Sequence, residues 1–188
     1  MPELIEVETY RRRAEAALFR TIGAVDARDA WFLKHGTSAS MLEVALVGRS
    51  FVAARRIGKL LLLDTGPLSA ALEGNRSEPV GPTLGLRFGM TGRVVLDGTA
   101  AIDRLEYASG RDRPVWDRFS VRFADGGVLR LQDPRRLGGV ELDPDEGRLG
   151  VDALGVGSAL RAAGRKPGAP QGPPHGPGPP RRCGQPHL

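Results

Sequence analysis

The sequence predicts an α+β domain, an N-terminal helix packed on an antiparallel β-sandwich. Three observations predict it. Apolar residues near the N-terminus recur at a helical period. From Arg49 onward, short apolar runs alternate with turn residues. Residues 164–188 then break in composition with everything before them.

Over residues 3–20, Leu4, Val7, Tyr10 or Arg11, Ala14 and Leu18 fall near a 3.6-residue period, and Gly23 is expected to end the helix. Ser38 and Ser40 offer caps for a short helix over Met41–Leu46, closed by Gly48. Strands are expected over Phe51–Arg56 and Leu60–Asp64, on either side of a tight turn or bend at Ile57-Gly58-Lys59. Residues 66–82, rich in Gly, Pro, Ser and Glu, read as a loop. Further strands are expected over Leu84–Phe88, Arg93–Leu96, Asp117–Phe123 and Val128–Gln132, with turns at Gly89–Gly92, Asp97-Gly98 and Asp125-Gly126-Gly127. The domain is expected over residues 1–141, with a polar linker over 142–163. Residues 164–188 hold eight of the fifteen prolines, and Leu188 is their only large apolar residue. Such a segment cannot bury enough surface to offset its ordering entropy, so a disordered tail is expected.

Composition bounds the function. The chain of 188 residues allows one ordinary domain with a tail. No apolar stretch is long enough to span a membrane, and no apolar segment of signal-peptide type follows the acidic N-terminus. Cys183 is the single cysteine, which excludes an internal disulfide and a multi-cysteine zinc site. A soluble intracellular protein is expected. The net charge of +5 suggests a polyanionic partner, but the tail alone supplies four cations and no acid. Local clusters must therefore carry any nucleic-acid argument.

Four motifs carry chemistry. The chain opens Met1-Pro2-Glu3-Leu4-Ile5-Glu6. Removal of Met1 would leave Pro2 as a secondary amine, with an α-amino pKa of about 7.7–8, beside two carboxylates, Glu3 and Glu6. That is a minimal kit for Schiff-base chemistry on a masked aldehyde. The plain alternative is a helix-opening proline with acids at the positive helix end. Second, Arg55-Arg56-Ile57-Gly58-Lys59 leads into Leu60–Leu63, so a turn-tip lysine anchored by an apolar strand could reach a phosphate, or could simply be solvated. Third, in Leu86-Arg87-Phe88-Gly89-Met90-Thr91-Gly92, paired glycines put a Met at a loop apex. An apolar wedge there could hold open a base stack, or Met90 could be a core residue at a strand end. Fourth, in Gln132-Asp133-Pro134-Arg135-Arg136-Leu137-Gly138-Gly139, Asp-Pro forces a turn from which Arg135 and Arg136 project. Arg135 could fill a stack or pair with an orphan base and Leu137 could wedge; otherwise this is a capped turn with surface arginines.

In this order and spacing the four motifs resemble the formamidopyrimidine-DNA glycosylase and endonuclease VIII (Fpg/Nei) family, over residues 2 to about 154. The resemblance implies base-excision repair of oxidised bases in damaged double-stranded DNA, by a glycosylase with AP lyase activity. It implies that Pro2 attacks C1′ of the damaged nucleotide, that Glu3 is the acid/base of sugar-ring opening, and that Glu6 supports the same catalytic N-terminus. It implies that Lys59 contacts the lesion nucleotide and its phosphate, and that Met90, Arg135 and Leu137 fill the void left by an extruded base, with Arg87 and Arg136 as further DNA contacts. A cytoplasmic, nucleoid-associated, bacterial-type monomer is implied. The sequence departs from the family pattern at Ile5 (often Pro), Arg87 (often His) and Leu137 (often Phe). These departures bear on lesion preference more than on the reaction.

Family members continue into a helix–two-turn–helix module and usually a zinc finger. Neither is visible, and one Cys with two late histidines cannot make a finger, so no cofactor is expected in this chain. Shifting the reading frame of Gly164–Pro186 by one base permits a sequence ending in the family's GVGN signature. The expectation is a frameshift between about residues 155 and 164, against the alternative of a genuine basic tail. A chain ending this way is expected to be weak or inactive on duplex lesions. The rival reading is a non-catalytic DNA-binding remnant, or the product of a disrupted gene.

Overall fold

The computed structural model describes residues 4–67, 81–102 and 110–148. The elements are helices α1 (Leu4–Ala14) and α2 (Ala39–Leu46) and strands β1 (Ile22–Asp26), β2 (Ser50–Ile57), β3 (Leu60–Gly66), β4 (Thr83–Arg87), β5 (Arg93–Leu96), β6 (Thr99–Ala100), β7 (Asp117–Phe123), β8 (Val128–Gln132) and β9 (Gly139–Leu142). They form two antiparallel sheets, one ordered β1-β7-β8-β5-β6 and the other β2-β3-β4-β9. One core joins both sheets and both helices, from Val7, Tyr10 and Leu42 through Phe51, Leu61 and Leu63 to Phe119, Val121 and Leu131. This is the α+β sandwich the sequence predicts.

The first helix is shorter than its periodicity suggests. It ends at Ala14, passes through a 3-10 turn over Glu15–Ala17, and leaves helical geometry at Leu18, which is extended and bridges Phe51. Leu18 fits the helical stripe but packs as a strand residue, because the sheet offers it a partner that solvent would not. Gly23 is not a helix stop; it lies within β1, at an irregularity in the pairing with β7. In α2, Ser38 is the N-cap, its hydroxyl accepting a hydrogen bond from the Met41 amide at 3.2 Å.

The Leu60–Leu63 run is fully apolar because β3 is buried on both faces. Leu61 and Leu63 face the sandwich core. On the other face, Pro144 packs over Gly85 close to Leu60. Residues just after position 141 are tied down here: Asp143 exchanges hydrogen bonds with Thr83, and Glu146 pairs with Arg55 at 2.7 Å. The beginning of the expected linker thus covers this sheet. Residues 149–188, including the tail and the frameshift expectation, lie outside the described residues.

The polar side of α1 is fastened to β2. Glu8 accepts from Arg11 and Arg56, and Arg11 reaches the Ala54 carbonyl at 3.3 Å. Hydrogen bonding from Arg11, then from Arg12 and Arg56, holds the Glu8 carboxyl below the usual range against the opposing effect of burial. The helix is therefore registered on the strand that leads to the Lys59 turn.

Candidate nucleic-acid interface

Two loops meet at one end of the sandwich, and a buried carboxylate joins them. Asp133 is fully buried. One of its oxygens accepts from the Thr91 hydroxyl at 2.5 Å and the Arg135 amide at 3.1 Å; the other accepts from the Gly138 amide at 2.7 Å. Thr91 belongs to the Met90 loop, while Arg135 and Gly138 belong to the loop between β8 and β9. A buried carboxyl group is costly unless it is hydrogen-bonded, and these donors engage both of its oxygens. The Asp133 main chain is held as well, by Trp116 and Arg118.

The same junction fixes Gly89. Its φ is +55°, and a Cβ there would come within 2.5 Å of the Leu137 carbonyl carbon and 2.6 Å of the Gly138 nitrogen. The loops are therefore in backbone contact. Above this contact, the Arg135 guanidinium lies 3.9 Å from the Met90 sulfur. Leu137 is 53 % exposed. The structure thus brings Met90 of the third motif together with Arg135 and Leu137 of the fourth.

Lys59 and Arg87 lie across the adjoining end of the second sheet. Ile57 pairs with Leu60, so Gly58 and Lys59 form a two-residue turn, with Gly58 at φ +56° and Lys59 exposed at the tip. Leu60 pairs with Arg87, and Arg87 with Gly139. Neighbouring strands lie about 4.8 Å apart, so the Lys59 turn, Arg87 and the β9 start form one row. Arg87 is not a freely projecting cation: its Nε donates to the buried Glu141 at 2.7 Å, and His35 approaches the other Glu141 oxygen at 3.3 Å. The aliphatic stem of Lys34 lies on Gly139.

Arg136 pairs with Asp29, which also lies 3.8 Å from Arg118. Burial raises the Asp29 pKa, but Arg136 and Arg118 outweigh it and hold the carboxyl low. Arg136 has φ +57°, a left-handed conformation unusual for a non-glycine residue, so its direction is imposed by the loop.

Helix α1 packs against the base of the Met90 loop. The Tyr10 ring lies 4.6 Å from that of Phe88, and its hydroxyl donates to the Gly92 carbonyl at 3.3 Å. Burial, reinforced by the charge of Glu6, pushes the Tyr10 pKa up, so the hydroxyl stays a neutral donor. Glu6 lies on the first turn of α1 and is partly buried. Pro2 and Glu3 lie outside the described residues. Sequence reasoning passed over Asp29, Trp31 and Lys34 as parts of this region. Thr91 and Asp133 were visible only as members of the third and fourth motifs, with no hint that they bond to each other. Among the described residues, no three His, Cys, Asp or Glu gather to hold a metal ion.

Residues 1–140 match the formamidopyrimidine-DNA glycosylase N-terminal domain. The chain belongs to that family. A protein named formamidopyrimidine-DNA glycosylase from Arabidopsis thaliana is 32 % identical over 165 residues, covering 82 % of this chain and 39 % of its own length. One of the same name from Halorhodospira halophila is 35 % identical over 176 residues, covering 88 % of this chain and 56 % of its own length. The chain spans about half the length of the curated relatives it matches. In fold, this glycosylase-type domain is similar to Lactococcus lactis Fpg (MutM) in complex with a DNA containing N7-benzyl-Fapy-dG: the TM-score is 0.55 at 23 % identity, over 86 % of this chain and 48 % of that one. A complex of L. lactis Fpg with DNA containing an abasic site gives the same TM-score of 0.55.

Proposed function

We propose that this glycosylase N-terminal domain acts in base-excision repair, taking an extruded damaged nucleotide of duplex DNA and cutting it through a Schiff base on Pro2. The observation that carries the reading is the junction clamped by Asp133, which gathers Met90, Arg135 and Leu137 beside the Lys59 turn. An apolar wedge and a planar cation on one rigid support suit a duplex from which one base has been removed.

With Met1 removed, the Pro2 nitrogen attacks C1′, the glycosidic bond breaks and the base leaves with the bonding pair. Opening of the sugar ring, with a proton supplied by Glu3, gives an iminium between Pro2 and C1′. The iminium acidifies C2′–H, so β-elimination breaks the C3′–O bond, and a second, δ-elimination breaks the C5′–O bond. Glu6 supports the N-terminal turn. Lys59 holds the phosphate of the lesion nucleotide, with Arg87 and Arg136 as flanking contacts. Glu141 neutralises part of the charge of Arg87.

Borohydride trapping tests this. The Met-cleaved chain incubated with duplex DNA bearing an abasic site should give a covalent adduct on reduction. The adduct should vanish when Met1 is retained and fall sharply in Pro2→Gly. Binding to the same duplex without any adduct would instead establish a non-catalytic DNA-binding domain.

A further inference from the structure

Trp31 is 70 % exposed, yet the segment carrying it is fixed on both sides. Asp29, two residues before it, is paired with Arg136 and lies near Arg118. Phe32, next in sequence, is fully buried and lies beneath the β8–β9 loop, with its Cζ 3.2 Å from where a Cβ on Gly138 would stand. Leu33 bridges Val140, and the Lys34 amide donates to the Val140 carbonyl at 2.8 Å. Lys34 also folds back: its ammonium donates to the Trp31 carbonyl at 2.7 Å and stands 5.5 Å from the centre of the indole ring. A large aromatic side chain is thus held out to solvent on a rigid support, at the edge of the loop that carries Arg135, Arg136 and Leu137.

We infer that Trp31 is a stacking platform for an unstacked base of the DNA bound at this interface, with Lys34 and Arg136 flanking the adjoining backbone. This rests on the DNA reading proposed above. Exposing an indole costs solvation, and burying Phe32 alone would anchor the segment. The local chemistry matches a nucleotide: a π-face for the base, with cations at Lys34 and Arg136 for its phosphates, and Asp29 neutralising only part of that charge. Base–aromatic stacking tolerates any base and adds to a cationic track. The site adjoins the β8–β9 loop through the Arg136–Asp29 pair and the Phe32–Gly138 contact.

The test uses fluorescence. Trp116 is the only other tryptophan, so the Trp116→Phe chain reports on Trp31 alone. It is titrated with duplex DNA bearing a tetrahydrofuran abasic analogue, and binding is followed independently by anisotropy of labelled DNA. Trp31 emission should be quenched along the binding curve, and acrylamide access should fall. In the otherwise native chain, Trp31→Ala should raise Kd about 5- to 150-fold, while Trp31→Phe should restore most of the loss and Trp31→Leu should not. Binding by anisotropy with Trp31 emission and quencher access unchanged overturns this inference alone. Absence of binding by anisotropy overturns the DNA reading, and this inference with it.

Discussion

Gly89 shows how much of the site is decided by single residues. It adopts φ +55° against the Leu137 and Gly138 backbone, at a distance no Cβ tolerates. Gly89→Ala would combine a left-handed alanine, about 1–2 kcal/mol, with forced separation of the two loops. The expected outcome is a loss of at least about 2 kcal/mol in urea unfolding; a loss below about 0.5 kcal/mol would mean the loops are not in firm contact. The sequence made Met90, Arg135 and Lys59 legible because each sits in a short motif whose turn residues are its immediate neighbours. Asp133 was legible only as a turn-former. Its partner Thr91 is 42 positions away, and no local pattern announces a hydrogen bond of that span. The tie between Arg87 and Glu141 is hidden for the same reason, since the two lie 54 positions apart.

Among the elements, the long β3 run, the hairpin to β2 and the β7–β8 pair were legible, since apolar spacing and turn residues agree there. The strands β1, β6 and β9 were not. β1 contains Gly23 and is half exposed at a sheet edge, β6 has two residues, and β9 opens on the second of two glycines and acquires strand character only by pairing with β4. Electrostatic ties between turns were equally hidden. Arg20, just before β1, reaches Asp97 at 2.8 Å in the β5–β6 turn and Asp125 at 2.7 Å in the β7–β8 turn. Hydrogen bonds from Arg20, then from the Gly127 amide, hold the Asp125 carboxyl down to about 2 from an ordinary 3.8, and Asp97 is lowered as well. A depressed carboxylate stabilises the fold above its unfolded pKa and loses that contribution as pH falls through the folded value. The Arg20 tie should therefore be complete above about pH 5 and lost progressively as pH falls to about 2 and below. Urea midpoints of the wild type and Arg20→Ala should differ at pH 7 and converge as pH falls from 5 to 2. A constant gap over that range would show that Arg20 acts through packing on the Phe123 ring, which it also covers at 4.3 Å.

For the whole molecule, the sandwich is a support that delivers three loops and the start of α1 to one end. Global charge did not reveal this, because the tail accounts for most of the excess while the working cations lie within the domain. If Lys59 and Arg136 meet phosphates, each alanine variant should shrink the slope of log K against log salt by about one, whereas Arg20→Ala, already paired twice away from that end, should leave the slope unchanged. Equal slopes for all three variants would remove the cationic edge from the binding surface. In the proposed reaction Pro2 supplies the reacting amine, and peptide mapping of the borohydride-trapped adduct locates that amine. After trypsin digestion, the reduced sugar remnant should reside on the peptide Pro2–Arg11, at the N-terminal nitrogen. Recovery of the adduct on Lys59 or any other lysine, or no adduct from a chain that binds the abasic duplex, would contradict it.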